Sequence, residues 1–357
     1  MNTTSLGSTA TAPPAPRRGL VPVLIVAVWS LAYTVLGVLW ALGGEGYPFP
    51  TGASAESTTL LGLLPQPVGA LTLASIAVLS GLLALSLARP RQASAMAHPP
   101  SPASSATAVV AVTVGLVVAV LLTDSRILTT IGYLPMIIGA VLTGGLEPAE
   151  LSALMDWPSL NLLIMMVAGI SLAVLGMRML LPRLRRTSPA RALRVGTAAV
   201  IVAVIVPVVY AVTRLGWFLG IPVGISEEFL TSFEHITPIG AGLATFGLLG
   251  AVLTTGLVRP WGEVWPRWVP FLRGRPVPVR LPVYAAVAVA VPIASAGGMF
   301  IRLKLRGAPF GPPGAASQPG AWLPEMLWPV WGAALAVAAL AYLVRRGHGL
   351  YLTGQGR

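Results

Sequence analysis

The chain contains no cysteine. Disulfide frameworks, thiolate metal sites and cysteine nucleophiles are excluded with it. Charge is also scarce: 10% of the 357 residues are Asp, Glu, Lys or Arg, where soluble domains carry about 25%. Lys304 is the sole lysine. No long apolar run carries an Asp or Glu near its centre, so a carboxylate proton relay through the membrane has no support. There is no phosphate-binding loop, no G-x-S-x-G elbow, no H-E-x-x-H and no histidine pair suited to haem. Intramembrane catalysis needs a nucleophile, base or metal at depth, and none is visible. No cofactor and no metal are expected.

What remains is apolar. Hydrophobic residues make up 55% of the chain, and the mean hydropathy is +0.81. A helix needs about 20 apolar residues to cross the hydrocarbon core. Eight runs satisfy this: Leu20–Leu42, Val68–Ala88, Ala106–Leu122, Leu160–Leu181, Val195–Phe218, Ile239–Val258, Leu281–Ile301 and Met326–Val344. A ninth, Ile127–Leu142, is broken by Thr129, Thr130, Gly132, Pro135 and Gly139. The fold class predicted is all-α, a polytopic membrane protein with about eight transmembrane helices.

The few charges are sorted by loop. Arginine gathers in alternate connections, at residues 17–18, 89–91, 178–194, 259–280 and 345–357. All the acids except Glu263 fall in the intervening loops. Basic bias in short loops sets orientation, so both termini are expected in the cytoplasm of a bacterial inner-membrane protein. A spanning Ile127–Leu142 would force the arginine-rich 178–194 region outside, so that stretch is read as re-entrant or interfacial. Such a segment is tolerable only where protein or water satisfies its backbone.

An internal match runs through these segments. Tyr33, Trp40 and Gly43 recur as Tyr210, Trp217 and Gly220, each 177 positions later (210 minus 33, 217 minus 40, 220 minus 43). Arg89-Pro90 recurs as Arg259-Pro260 after 170 positions, and Trp157-Pro158 as Trp328-Pro329 after 171. The expectation is two parallel four-helix units, 19–186 and 187–346. A disordered cytoplasmic tail (1–18) precedes them and a short cytoplasmic tail (347–357) follows.

Arg214 is the foremost candidate site residue. An arginine at membrane depth is costly and seeks a partner in a bundle or wet cavity. Glu45, Glu227 or Glu228, in adjacent outer loops, are the expected partners. Its match in the first unit is Gly37 (214 minus 177). The alternative is an arginine that snorkels to the interface or pairs structurally. With Tyr33, Trp40, Tyr210 and Trp217, these residues define the expected ligand site, facing outward between the units. The acidic outer loops favour a small cationic or apolar ligand over an anion. Glu227, Glu228, Glu234 and His235 match no metal-ligand spacing.

On the inner side, Arg259–Arg280 places Trp261, Trp265 and Trp268 among five arginines, Arg267 included. Rings at headgroup depth with guanidinium groups on phosphates describe an interfacial segment. Anionic membrane lipids are the expected partners at this face; docking of a cytoplasmic protein is the alternative. Nucleic acid is set aside, because the basic segment is held at a bilayer.

Two phrases, RLGWFLGIPVGISEEF (Arg214–Phe229) and GLVRPWGEVWPRWVP (Gly256–Pro270), resemble a group of uncharacterised multi-pass membrane proteins of actinobacteria. VLWALGGEGYPF (Val38–Phe49) extends the likeness to the first unit. The resemblance implies membrane class and lineage, with no activity attached. The expected function is a transporter-like or small-ligand-binding protein. A membrane-embedded enzyme acting on a lipid or isoprenoid and a non-catalytic scaffold are the alternatives.

Overall fold

The computed structural model describes residues 20–49, 58–88, 101–130, 156–308 and 311–347. Among them, ten helices and short 3-10 turns account for the ordered backbone. Eight spans are long and apolar enough to cross a membrane, and the chain is a multi-pass membrane protein. Helix α1 covers Leu20–Ala41, α2 Gln66–Ala88 and α3 Pro102–Leu116, the last continuing through a π turn at Val117–Leu121. Helix α4 covers Trp157–Leu184, α5 Pro189–Phe218, the short α6 Glu227–Ser232 and α7 Thr237–Thr255. Helix α8 covers Arg280–Leu305, α9 Pro319–Met326 and α10 Trp328–Arg346. The eighth span starts earlier than its apolar run, because α9 leads through Leu327 into α10.

Local sequence explains the helix starts. The side chains of Ser101, Asp156 and Ser188 accept the N–H of Ser104, Ser159 and Arg191, and each cap is followed by proline. Such residues satisfy donors that a helix leaves free, and proline lacks the donor that would be wasted there. Of the ninth apolar run only 127–130 is described; these residues continue a helical turn from Arg126, and Ile127 is buried. The remainder, the two tails, Glu56, Glu147 and Glu150 lie outside the described residues.

Helix α1 packs on α2 and α4, and α3 packs on α4. In the same order, α5 packs on α7 and α10, and α8 packs on α10. Without water to drive them together, membrane helices associate through close backbone approach at small residues. A Cβ on Gly115 of α3 would lie 2.5 Å from the carbonyl oxygen of Gly169 in α4. A Cβ on Gly332 of α10 would lie 2.5 Å from the carbonyl oxygen of Ala290 in α8. The two sets of four meet where the π turn rests on α8. One pairing differs: α2 touches α3, whereas α7 and α8 diverge.

Candidate functional site

The Trp and Gly positions matched in sequence adopt matching local structure. Trp40 Nε1 donates to the Glu45 carbonyl at 3.1 Å, and Trp217 Nε1 donates to the Val223 carbonyl at 2.9 Å. Gly43 and Gly220, both just past a helix end, have φ of 94° and 78°. That left-handed geometry favours glycine at a helix C-terminus. Each tryptophan thus pins the loop that its own helix releases.

The expected ligand residues divide into separate places. Tyr33 donates to Asn161 Oδ1 at 2.6 Å and joins an aromatic run from Trp29 through Trp40 and Tyr47 to Phe49. Tyr210 instead meets Trp328 edge-on at 5.4 Å, and Trp217 packs with Phe229 and Phe233. The first group belongs to one core cluster, while Tyr210 and Trp217 lie in two others. Glu45, Glu227 and Glu228 are exposed.

Arg214 is buried, and its partner is none of those three acids. It forms an ion pair with Glu325 of α9. It also donates to the carbonyls of Gly320 (3.2 Å) and Ala321 (3.4 Å) and to Thr213 Oγ1. Its guanidinium lies 4.1 Å from the Trp217 ring centre and 4.8 Å from that of Tyr210. The correction has a steric reason. Helix α9 folds back against α5 and brings Glu325 within reach, while α6 presents Glu227 and Glu228 in its first turn, away from it. Glu325 borders the eighth apolar run, and that adjacency was the available signal.

Two further acids read as loop charges are fully buried. Asp124 receives Arg126 Nη2 at 2.8 Å and the Thr58 hydroxyl at 2.5 Å. Glu263 forms an ion pair with Arg345. Around it, Tyr342 donates its hydroxyl to the Gly262 carbonyl at 2.8 Å, and Arg345 reaches the Leu257 carbonyl at 3.0 Å. Arg346 donates to the carbonyls of Glu263 and Val277. The loop between α7 and α8 is therefore clipped to the end of α10 at three heights.

That loop is a small hairpin. Trp265 N–H donates to the Arg275 carbonyl, Gly274 N–H returns to Trp265, and Val277 N–H donates to Glu263. Trp268 is 82% exposed and Phe271 91% exposed at its tip. Phe271 holds φ of 64°, a strained region for a bulky residue. Arg259, Arg267, Arg273, Arg275 and Arg280 are all exposed, and none forms an ion pair among the described residues.

Beneath the hairpin, the divergence of α7 and α8 leaves an apolar groove of about 730 Å³. Its walls are Leu249 and Leu253 of α7, Leu257 just past its end, and Leu281, Ala286 and Val289 of α8. Its floor is Trp331 and Leu335 of α10, and its cap is Trp261, Trp265 and Trp268. The volume falls in the range of small-molecule sites, roughly 300–1,000 Å³. Leu249, Val252, Leu253 and Leu281 present large apolar area outward, so the opening is rimmed by exposed aliphatic side chains. The composition of the hairpin was legible in sequence; the groove was not, because it arises from two helices spreading apart. No protein family, curated protein or solved structure matches this chain.

Proposed function

We propose that this protein binds an amphiphile in the groove between α7 and α8, taking an apolar chain sideways from the bilayer and holding an anionic headgroup at the hairpin. The observation that carries the reading is the groove itself, lined by aliphatic side chains and roofed by three tryptophans. A pocket in lipid gains little from apolar character alone, because chains outside are equally apolar. Selectivity must come from shape and from the headgroup. Five exposed guanidinium groups in the capping loop supply the second, each able to fork onto phosphate oxygens. The clip through Glu263 supports the first, since a fixed roof reduces the ordering cost of binding.

In the same reading the hairpin faces the cytoplasm, and both termini lie on the cytoplasmic side of a bacterial inner membrane. Arginine bias and the likeness to actinobacterial membrane proteins support that orientation. Two parallel four-helix units derived from one ancestor account for the matched residues and the shared order of packing. An outward site for a cationic ligand at Arg214 is less well supported, because Glu325 and two carbonyls already occupy the guanidinium.

The test uses a full-length chain in nanodiscs and a photoactivatable phosphatidic acid analogue. Gly250 lines the groove, and a Cβ there meets no atom within 4 Å, so Gly250→Trp is the substitution chosen to obstruct the groove. Crosslinks are expected on α7 and α8 and should fall several-fold in Gly250→Trp. Equal labelling of both proteins overturns the proposal. Orientation is read separately: Ser188→Cys in this cysteine-free chain should resist a membrane-impermeant maleimide added outside intact cells.

A further inference from the structure

The groove between α7 and α8 has two ends of different kinds. One is the hairpin, which lays Trp261, Trp265 and Trp268 over it. The other lies inside the bundle, and three helices agree on its level. The lining residues farthest from the hairpin are Leu249 on α7, Val289 on α8 and Trp331 on α10. Just beyond that level the helices close up. A Cβ on Gly247 of α7 would lie 3.8 Å from Pro207 Cβ of α5 and 3.9 Å from Trp331 Cη2. A Cβ on Gly332 of α10 would lie 2.5 Å from the Ala290 carbonyl oxygen and 2.8 Å from Ala294 Cβ, both of α8. Helix α10 therefore fills the space between its neighbours there, with the far edge of the Trp331 ring toward α7. The ring is held firmly, since Trp331 is only 7% exposed.

Helix geometry sets the distance between the two ends. On α8 the lining runs from Leu281 to Val289, eight steps (289 minus 281), or about 12 Å at a rise of 1.5 Å per residue. That is less than half of a hydrocarbon core of about 30 Å, so the groove belongs to the leaflet on the hairpin side. An extended alkyl chain with C–C bonds of about 1.5 Å advances about 1.3 Å per carbon, and about ten carbons reach from the roof to Trp331. Fit decides between chains here, because a chain is surrounded by apolar groups whether bound or free. A shorter chain leaves the deep end without packing partners. A longer one meets the indole and must turn sideways, giving up part of its contact.

We propose, on the reading of this groove as an amphiphile site, that Trp331 is its stop and sets the length of chain it prefers. The preferred occupant is an anionic amphiphile of one leaflet with a single chain of about ten carbons. Longer chains overrun the stop and bind less well.

The test extends the photolabelling of the full-length chain in nanodiscs. Alkyl phosphates from hexyl to hexadecyl compete with the photoactivatable phosphatidic acid analogue at equal measured mole fraction in the bilayer. Competition should strengthen up to decyl or dodecyl and weaken several-fold by hexadecyl. In Trp331→Leu, which shortens the stop and stays apolar, the best competitor should move to tetradecyl or hexadecyl. Competition that still strengthens through hexadecyl in the natural sequence overturns the proposal. So does flat competition across the series, or an unmoved optimum in Trp331→Leu. If Trp331→Leu does not fold, analogues with the diazirine at successive chain positions decide in the natural sequence. Labels near the tenth carbon should fall on Trp331 or Leu335; labels from the chain end recovered on Trp328 overturn the stop. Equal labelling in Gly250→Trp strikes the groove itself, whereas with that block intact the other failures strike the stop alone.

Discussion

Arg214 lies across Gly240: a Cβ on that glycine would stand 3.4 Å from Arg214 Cδ. The positions matched to them in the first half are Gly37 (214 minus 177) and Ala70 (240 minus 170). There the contact is reversed. Gly37 is the residue without a side chain, and a Cβ on it would press to 2.8 Å on the Ala70 carbonyl. At the α1–α2 contact the glycine lies on the first helix, and at the α5–α7 contact it lies on the second. The space so created in the second half holds a guanidinium, and α9 brings Glu325 to meet it.

Truncating one member of that ion pair should be worse than truncating both. Arg214→Ala leaves the Glu325 carboxylate buried without its counter-ion, a change that costs about 3–5 kcal/mol. Arg214→Met combined with Glu325→Leu removes both charges and keeps the volume, and should recover most of the loss. Equilibrium unfolding in mixed micelles measures all three. Equal destabilisation by the single and the double variant would show that packing, and not charge, holds α9 to α5.

The hairpin should depend on a residue that touches none of its tip. Glu263→Gln exchanges the buried carboxylate for an amide facing Arg345, and the clip to α10 weakens. Limited trypsin cleavage at Arg267 or Arg273 should accelerate several-fold, because cleavage needs local opening. The spans themselves should unfold at nearly the same midpoint. An unchanged cleavage rate sinks this account of the clip.

Glycines that look alike in sequence should respond in opposite ways. Gly115→Ala drives a Cβ to 2.5 Å from the Gly169 carbonyl and 2.7 Å from the Ala173 nitrogen. Helices α3 and α4 must separate, at about 1–3 kcal/mol. Gly250→Ala meets open space, and an alanine in a helix gains roughly 0.5–1 kcal/mol over glycine. A matched pair of unfolding curves in the same micelle tests the sign as well as the size.

These contrasts mark what the sequence could carry. Spans are written locally, as unbroken apolar runs, and all eight are found. Partners are not local: Arg214 and Glu325 stand 111 residues apart, and nothing within either segment names the other. The buried state of Asp124 and Glu263 was illegible for a related reason. Each lies in a polar loop, and only the fold brings helix ends over it. Tyr33, Trp40, Tyr210 and Trp217 pair in the sequence match, but pairing in sequence gives no distance between them. The groove is the extreme case, since it is defined by the separation of two helices.

Alkaline pH should loosen the loop after α1 through one phenol. Tyr47 lies outside the spans, edge-on to Trp40 at 5.7 Å and to Phe49 at 5.3 Å. Its hydroxyl is buried without a hydrogen-bond partner among the described residues. Burial disfavours the phenolate and pushes its pKa from 10.0 up to about 12. Below pH 10 the phenol is neutral whether the loop is folded or not, so its contribution to stability is fully present. Above that value the unfolded loop releases the proton first, and stability is lost as pH rises through about 12. Tyr47→Phe keeps the ring contacts and removes both the ionisation and the orphaned hydroxyl. It should leave the midpoint at pH 7 unchanged or slightly raised, and it should flatten the fall between pH 10 and 12. Unfolding midpoints across that range, with tyrosinate absorbance followed in parallel, check both halves of the argument. An equally steep fall in Tyr47→Phe would assign the alkaline sensitivity to another group.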